Sequence, residues 1–227
     1  MVACIVMLCA CQAPPEATTP PSVAPNWTDG WLPFALPGKR ETEYSPAFTD
    51  GRWVLNAKSE RSAGMYRKAM RIEPAQLGAV SFSWKTVALV EGADVHRNET
   101  EDAPVRVMLA FEGDHARLSQ RTRMMFDLMQ SVSGEKPPFA TLMYVWDNQA
   151  APESLVINKR SDRIRKIVLE SGPAHLGQWR HYRRDIRADF RLAFGEDPGP
   201  LIGVAVMTDS DNTQTRAEAW YGEIRFD

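Results

Sequence analysis

The segment 208–213 carries a dense group of hard oxygen donors. Asp209, Asp211 and Asn212 lie close together directly after an apolar run. Such oxygens can hydrogen-bond the hydroxyls of a glycan or coordinate calcium, which takes six to eight oxygen ligands. Alternatively, Asp and Asn at the end of a strand form Asx turns that satisfy their own backbone. The segment therefore predicts a ligand site, with calcium at Asp209 and Asp211 or a structural turn as alternatives, and no other cofactor is predicted.

A second polar pair, Asp102 and Arg106, lies four residues apart at the start of a predicted strand. Residues at even spacing in a strand share one face. Arg106 is flanked by valines, and a guanidinium on the face of a sheet requires a carboxylate partner, for which Asp102, Asp147 and Asp209 are the candidates. The pair is either a structural ion pair that fixes the sheet or the polar floor of a binding cleft.

The chain contains seven tryptophans, a large number for its length. An exposed indole can stack on the C–H face of a sugar ring, although most tryptophans lie in the core. We expect Trp146 and Trp220 to be exposed, because each stands beside polar or acidic residues. The full predicted ligand-binding set is Asp102, Arg106, Trp146, Asp147, Asp209, Asp211, Asn212 and Trp220.

No sequence motif assigns a catalytic residue. The four histidines lack metal-ligand spacing, and neither a Gly-x-Ser-x-Gly motif nor a phosphate-binding loop is present. All three cysteines lie within the first eleven residues, which excludes a cysteine nucleophile or a disulfide from the remaining chain. Two carboxylates facing each other across a cleft could still hydrolyse a glycosidic bond. The candidates for such a pair are Asp102, Asp147, Asp209, Asp211 and Glu223.

The elements that must position these residues are mostly strands. Apolar residues alternate with polar ones in several segments, and turn residues separate the segments. The clearest of the predicted strands are 52–58, 79–87, 105–111, 141–146, 164–169, 201–207 and 217–226, and we expect about eight or nine in all. Apolar residues spaced three and four apart predict two helices, 115–132 and 184–194.

About eight or nine strands with few helices, and without regular strand–helix alternation, argue against a doubly wound sheet. They favour a mainly β fold, a single antiparallel β-sandwich of the jelly-roll type with one or two accessory helices. The apolar fraction of 44% provides a core large enough to fold without disulfides. The net charge of −2 gives no strong field to attract nucleic acid.

The N-terminal segment is typical of an exported lipoprotein. Residues 2–10 are small and apolar, as in a signal peptide, and they lead into Leu8-Cys9-Ala10-Cys11, which resembles the bacterial lipobox. The resemblance implies cleavage before Cys11 and lipidation of its thiol. Residues 12–25 contain five prolines, as expected of an extended tether. No basic residue precedes the apolar run, which indicates a true start upstream of Met1.

We therefore predict a signal peptide at 1–10, a proline-rich tether at 11–25 and one folded β-sandwich domain at 26–227. Acyl chains on Cys11 would anchor the protein stably to a membrane. The expected location is the bacterial cell envelope, with the domain facing the periplasm.

Six motifs occur in order along the folded part of the chain: residues 101–107, 111–114, 142–146, 194–196, 207–213 and 219–224. Together they resemble the bacterial family known as domain of unknown function 3047 (DUF3047), over the stretch from about Trp31 to Phe226. The resemblance implies an envelope-associated protein and brings no established activity or catalytic residue.

Three hypotheses about function follow. The first is a non-catalytic module that binds a glycan or a similar polar ligand on one sheet face. The second is a glycan-active hydrolase that uses carboxylates on that face. The third is a purely structural role in the envelope, with protein partners unspecified.

Overall fold

A computed structural model describes residues 26–227 of the chain. The predicted signal peptide, the tether and Cys11 lie outside the described residues. Three short 3-10 helices, Asn26–Thr28, Pro74–Gln76 and His115–Arg117, accompany two α-helices, α1 (Gln120–Ser133) and α2 (Ile186–Phe194). The strands are β1 (Trp31–Ala35), β2 (Glu43–Thr49), β3 (Arg52–Glu60), β4 (Gly64–Ile72), β5 (Ala79–Thr86), β6 (Arg106–Phe111), β7 (Ala140–Asp147), β8 (Leu155–Ile157), β9 (Ile164–Ser171), β10 (Arg180–Asp185), β11 (Leu201–Met207), β12 (Arg216–Tyr221) and β13 (Arg225–Phe226).

The strands form two sheets. The seven-stranded sheet has the order β1-β4-β11-β6-β7-β9-β8, and the six-stranded sheet has the order β10-β5-β12-β3-β2, with β13 also paired to β5. All pairs are antiparallel except β7 with β9. The predicted fold class is confirmed: the protein is a mainly β, antiparallel sandwich of the jelly-roll type with two accessory α-helices.

The main core lies between the two sheets. In β7, Leu142, Tyr144 and Trp146 alternate into it, and in β12 Ala219 and Tyr221 enter it from the facing sheet. This is the period-two alternation that a strand with one face in the core requires.

A second apolar cluster covers the other face of the seven-stranded sheet. Met143 and Val145 of β7 point into it, and Val95 and Ala150 pack onto them from loop segments. The loops that carry Val95 and Ala150 therefore cover a face of the sheet that would otherwise be open to solvent. Polar side chains on this face, such as Arg106 and Lys166, are buried as a result.

Several strands were not predicted, and most of them are sheet edges. β1, β2, β8 and β10 are the end strands of the two sheets. β1 and β2 contain Pro33 and Pro46, which an edge strand tolerates because a proline has no N–H to contribute to the ladder. An edge strand buries little apolar surface, so its sequence lacks the alternation that marks a central strand.

The two predicted helices are present with shifted starts. The first begins as a 3-10 turn at His115–Arg117, and α1 then starts after Ser119, whose side chain accepts a hydrogen bond from the Thr122 N–H. The second starts only after Asp185, which caps α2, so Arg184 belongs to β10. Neither helix has the length and apolar composition that crossing a bilayer requires.

Candidate functional site

Four of the predicted site residues form one buried group, which we call the carboxylate cluster: Asp102, Arg106, Asp209 and Asp211. Carboxylate oxygens of the three aspartates lie within 4.8 Å of one another. Arg106 Nη1 donates to Asp209 Oδ2 at 2.5 Å, which confirms Asp209 as the partner of this guanidinium. The four residues are buried, so the cluster is part of the interior rather than the floor of an open cleft.

The remaining oxygens of the cluster also bond to the protein itself. Asp102 precedes β6 rather than lying in it, and its carboxylate accepts from the backbone N–H groups of Asn212 and Thr213 at 3.2 and 2.7 Å. Asp211 is paired with Lys39. The carboxylates thus hold the 208–213 loop against β6, and they do so across the chain rather than through local Asx turns.

Burial and charge act against each other at Asp209. Loss of solvent raises the pKa of Asp209 to about 6, although the Arg106 guanidinium pulls it downward. Burial by itself lowers the pKa of Arg106. The negative charges of Asp209 and Glu101 outweigh this, so the pKa of the guanidinium is raised. The pair is therefore charged at neutral pH, with the carboxylate as its more easily neutralised member.

A second cation lies beside this pair. Lys166 is buried and donates to Glu101 Oε2 at 2.8 Å. Burial and the nearby Arg106 lower the pKa of Lys166. Lys166, Arg106 and Lys39 thus face four carboxylates, those of the three aspartates and Glu101. These carboxylates are already engaged by donors that a calcium ion would have to displace.

Two further predicted site residues, Trp146 and Asp147, are buried and bonded within the protein. Trp146, which we expected to be exposed, has 0% exposure because it alternates in phase with Tyr144 into the core, and its Nε1 donates to Gly172 O at 3.0 Å. Asp147 is buried and accepts from the backbone N–H groups of Val95, Gln149 and Ala150. Its oxygens are used to fix the loops on either side of it.

The candidates for a pair of hydrolytic carboxylates do not face an open groove. Asp102, Asp147, Asp209 and Asp211 are buried. Glu223 is exposed, and it is paired with the neighbouring Arg225. This arrangement does not support the hydrolase hypothesis.

Trp220 lies elsewhere, on the outer face of the six-stranded sheet. Its neighbours along β12, Ala219 and Tyr221, point into the core, so the indole of Trp220 points outward and is partly exposed. In register it lies between Asn56 of β3 and Lys85 of β5.

A surface group surrounds Lys85, and we call it the outer-sheet patch: Asp50, Arg52, Lys85, Trp179 and Trp220. Lys85 Nζ lies 5.1 Å from the ring centre of Trp220 and 5.3 Å from that of Trp179. Arg52 stacks on Trp179, with its Cζ 3.7 Å from the ring centre. Asp50 Oδ2 accepts from Lys85 Nζ at 2.5 Å and from Trp179 Nε1 at 2.7 Å.

Local sequence explains how the patch is held. Asp50 and Gly51 both have positive φ values, 52° and 73°, and Thr49 pairs with Arg52. This is the two-residue hairpin turn that favours Asp-Gly, and it presents the Asp50 carboxylate at its tip. The hydrogen bonds from Lys85 and Trp179 lower the pKa of Asp50, which therefore stays ionised.

Sequence reasoning found only Trp220 of this patch. Asp50, Lys85 and Trp179 are far apart in the chain, and the sheet order alone brings them together. The Asp-Gly turn at 49–51 was recognisable, but the sequence does not show which surface the turn covers.

A second constellation that the sequence did not reveal surrounds Glu170. This buried carboxylate accepts from His175 Nδ1 at 2.7 Å, from Arg180 Nε at 2.6 Å and from the Tyr182 hydroxyl. Burial favours its neutral form, but hydrogen bonds from Tyr182, His175 and Arg180 outweigh this and lower the pKa of Glu170. The carboxylate therefore joins β9 to β10 as a charged anchor.

The family of this chain follows from a match that covers most of its length. The model of the family described as protein of unknown function (DUF3047) matches residues 29–225. The chain belongs to this family. No curated protein matches the chain significantly. The DUF3047 match spans the sandwich from before β1 to the last strand, so the carboxylate cluster and the outer-sheet patch both lie within it.

Solved structures resemble this DUF3047 chain only distantly. The family 11 carbohydrate-binding module from Clostridium thermocellum, in complex with a β-1,3-1,4-mixed-linked tetrasaccharide, is 8% identical, with 87% of this chain and 88% of that chain covered and a TM-score of 0.44. A cellulase derived from Cel12A of Rhodothermus marinus is 9% identical, with coverages of 87% and 99% and a TM-score of 0.42. The xyloglucanase domain of NopAA from Sinorhizobium fredii is 9% identical, with coverages of 88% and 94% and a TM-score of 0.42. A likeness of this extent identifies neither a ligand nor an activity of this chain.

Proposed function

We propose that this protein is a non-catalytic module of the bacterial cell envelope that binds a glycan through the outer-sheet patch. The observation that carries the proposal is the placement of two partly exposed indoles, Trp179 and Trp220, on either side of the Lys85 ammonium. An indole offers a flat apolar surface for the C–H face of a sugar, and its neighbours supply polar groups for the hydroxyls.

The polar groups around the indoles suit a hydroxyl-rich ligand. Asp50 offers acceptor oxygens and Lys85 offers N–H donors. Glu218 extends the polar surface beside Trp220, and the buried Asn56 holds it in place by donating from Nδ2 to Glu218 Oε1 at 3.2 Å. These groups hold one another in place before a ligand arrives, which reduces the cost of ordering them on binding.

The carboxylate cluster has a different role in this proposal. Its residues are buried and bonded to one another, so they stabilise the sandwich and the 208–213 loop. The hydrolase alternative would need two carboxylates across an open groove, and the candidate residues do not provide them.

Glycan binding can be tested with the full chain on an array of bacterial and plant polysaccharides, followed by titration with the best oligosaccharide. We expect Trp220→Ala to weaken binding by at least about tenfold, because a stacked indole buries apolar surface in the complex. Trp27→Ala is the matched control, since Trp27 is a partly buried indole at the start of the described chain.

Two further measurements separate the outer-sheet patch from the residues predicted first. Asp211→Asn should leave the affinity unchanged, and so should removal of calcium with a chelator. Loss of binding in Asp211→Asn, in a variant that melts like the wild type, would place the site at the 208–213 loop. Equal binding by Trp220→Ala and the wild type would exclude the patch.

The envelope location rests on the N-terminal lipobox-like sequence, and we propose that Cys11 carries the lipid anchor. Cys11→Ser should move the protein from the membrane fraction to the soluble fraction of cells after a high-salt wash. The wash matters because it removes electrostatic attachment but leaves a lipid anchor in place. A Cys11→Ser protein that stays with the washed membranes would contradict the anchor.

A further inference from the structure

Helix α1 exposes most of its apolar side chains. Met124, Leu128 and Val132 have 65%, 66% and 61% of their surface open to solvent, and the neighbouring Met129 is exposed as well. Met124, Leu128 and Val132 are four residues apart, so they form one row along the helix. A row of large apolar groups at this exposure is unusual on the surface of a soluble domain.

The core uses a different side of the same helix. Phe126 is the one apolar residue of α1 that is buried, and it contacts His115 edge-on with the ring centres 5.8 Å apart. Residues two apart in an α-helix point about 200° from each other, so the row at Met124 and Leu128 faces away from the side that Phe126 anchors. The fold therefore does not account for the apolar row.

Basic side chains bracket the row. Arg121 lies one turn before Met124 on the same side, and Lys136 follows the helix. Neither side chain has an ion-pair partner among the described residues, whereas the nearby acid Glu135 is paired with Arg67 at 2.7 Å. The row itself is thus apolar along its length, with a cation at each end.

A second copy of the chain does not fit this surface well. A helix of 14 residues is about 21 Å long and about 10 Å wide, so one face offers on the order of 200 Å². A stable protein–protein interface buries about 800 Å² on each partner. The apolar row alone is too small for a stable dimer, whereas a membrane surface needs no complementary shape.

We propose that α1 is a membrane-surface helix that docks the domain on an anionic lipid bilayer. The row Met124, Leu128 and Val132 enters the boundary between headgroups and acyl chains, and Arg121 and Lys136 lie at the level of the lipid phosphates. With 14 residues the helix is shorter than the ~20 residues that a spanning helix needs, so it lies in the plane of the surface.

The test is sedimentation with vesicles, using the full chain with Cys11→Ser so that no lipid anchor contributes. We expect binding to vesicles that contain one third phosphatidylglycerol and much weaker binding to pure phosphatidylcholine. Leu128→Gln should reduce the partition coefficient roughly tenfold, because it removes one apolar side chain from the buried face. Glutamine is a good helix former, so the exposed substitution leaves α1 intact.

A matched pair of variants controls for exposed apolar residues in general. Val132→Gln should weaken vesicle binding several-fold, whereas Val87→Gln should not, although Val87 has a similar exposure of 53% after β5. Arg121→Gln should reduce binding to the phosphatidylglycerol vesicles only. The apolar run at 2–10 is common to all these proteins, so differences between them report on α1.

Two outcomes would overturn the proposal. One is equal vesicle binding by the wild type, Leu128→Gln and Val132→Gln. The other is a concentration-dependent dimer, seen by light scattering and lost in Leu128→Gln, without vesicle binding, which would assign the row to a second copy. Glycan binding by Leu128→Gln should equal that of the wild type, so failure here is distinct from failure of the proposed function.

Discussion

Arg106→Gln should lower the free energy of unfolding by about 3–5 kcal/mol at pH 7.5 and the melting temperature by roughly 10 °C. The substitution leaves Asp209 as a buried carboxylate without its cation. It also removes the hydrogen bond that Arg106 Nη2 donates to the Glu101 carbonyl oxygen. The Asp209 carboxylate and the Glu101 carbonyl both remain out of water and lose their partner. For this reason the removal of one member of a buried pair destabilises a protein by more than the intact pair stabilises it.

The control is an exposed ion pair between an arginine and an aspartate on the surface of the domain. Arg183 and Asp227 are 3.0 Å apart, with 68% and 53% of their side chains exposed. Arg183→Gln should change stability by no more than about 1 kcal/mol, because water already screens the charges. Chemical denaturation of the variants measures both values, and similar losses for Arg106→Gln and Arg183→Gln would contradict the structural role of Arg106.

Arg106→Lys separates charge from geometry. Lysine retains a positive charge near Asp209 but cannot reach two acceptors with the planar fork of a guanidinium. We expect a stability between those of the wild type and Arg106→Gln. Because the carboxylate cluster is not the proposed glycan site, the folded Arg106→Lys protein should bind glycan with the affinity of the wild type.

The sequence predicted the central strands because they carry the strongest alternation. Strand β11 was predicted at its observed bounds, Leu201–Met207, since both of its faces are covered. The end strands β1, β2, β8 and β10 were missed because one side of each ladder is open. The alternation thus located the inner strands of each sheet except β4, and it did not locate the edge strands.

The sites were harder to predict than the strands. The partner of Arg106 was among the three aspartates proposed from sequence, because a guanidinium on a sheet face needs a carboxylate. Its burial was not predictable, because loops distant in sequence cover that face. The exposure of Trp146 was wrongly predicted from its neighbour Asp147, whereas its phase with Tyr144 already placed it in the core.

Most of the outer-sheet patch could not be predicted from the sequence. Trp220 is out of phase with the buried Tyr221, and that phase alone places it on the outer face. Its partners are contributed by a hairpin turn at Asp50, by strand β5 and by the residue before β10. Their meeting depends on the order of strands in the sheet, which a single sequence does not contain.

The pH dependence of stability should show a component from Asp209 with the opposite sign to that of an ordinary ion-paired carboxylate. Burial raises its pKa to about 6, above the value of about 3.9 in the unfolded chain. Between these values the folded state binds more protons than the unfolded state. The contribution of this group is therefore complete below about pH 4 and is lost as the pH rises through about 6.

The comparison of the wild type with Asp209→Asn isolates this component, because asparagine does not titrate. Two pKa units correspond to on the order of 3 kcal/mol, so the stability difference, wild type minus variant, should fall by about that amount from pH 4 to pH 7.5. Urea denaturation at intervals of half a pH unit gives the curve. Carboxylates whose pKa is lowered, such as Asp50 and Glu170, contribute equally to both proteins and cancel.

The same titration links the two predictions. At pH 5 Asp209 is mostly protonated, so removal of Arg106 no longer leaves an unpaired charge, and Arg106→Gln should cost less than at pH 7.5. A stability difference between wild type and Asp209→Asn that rises with pH would show that the attraction of Arg106 outweighs desolvation.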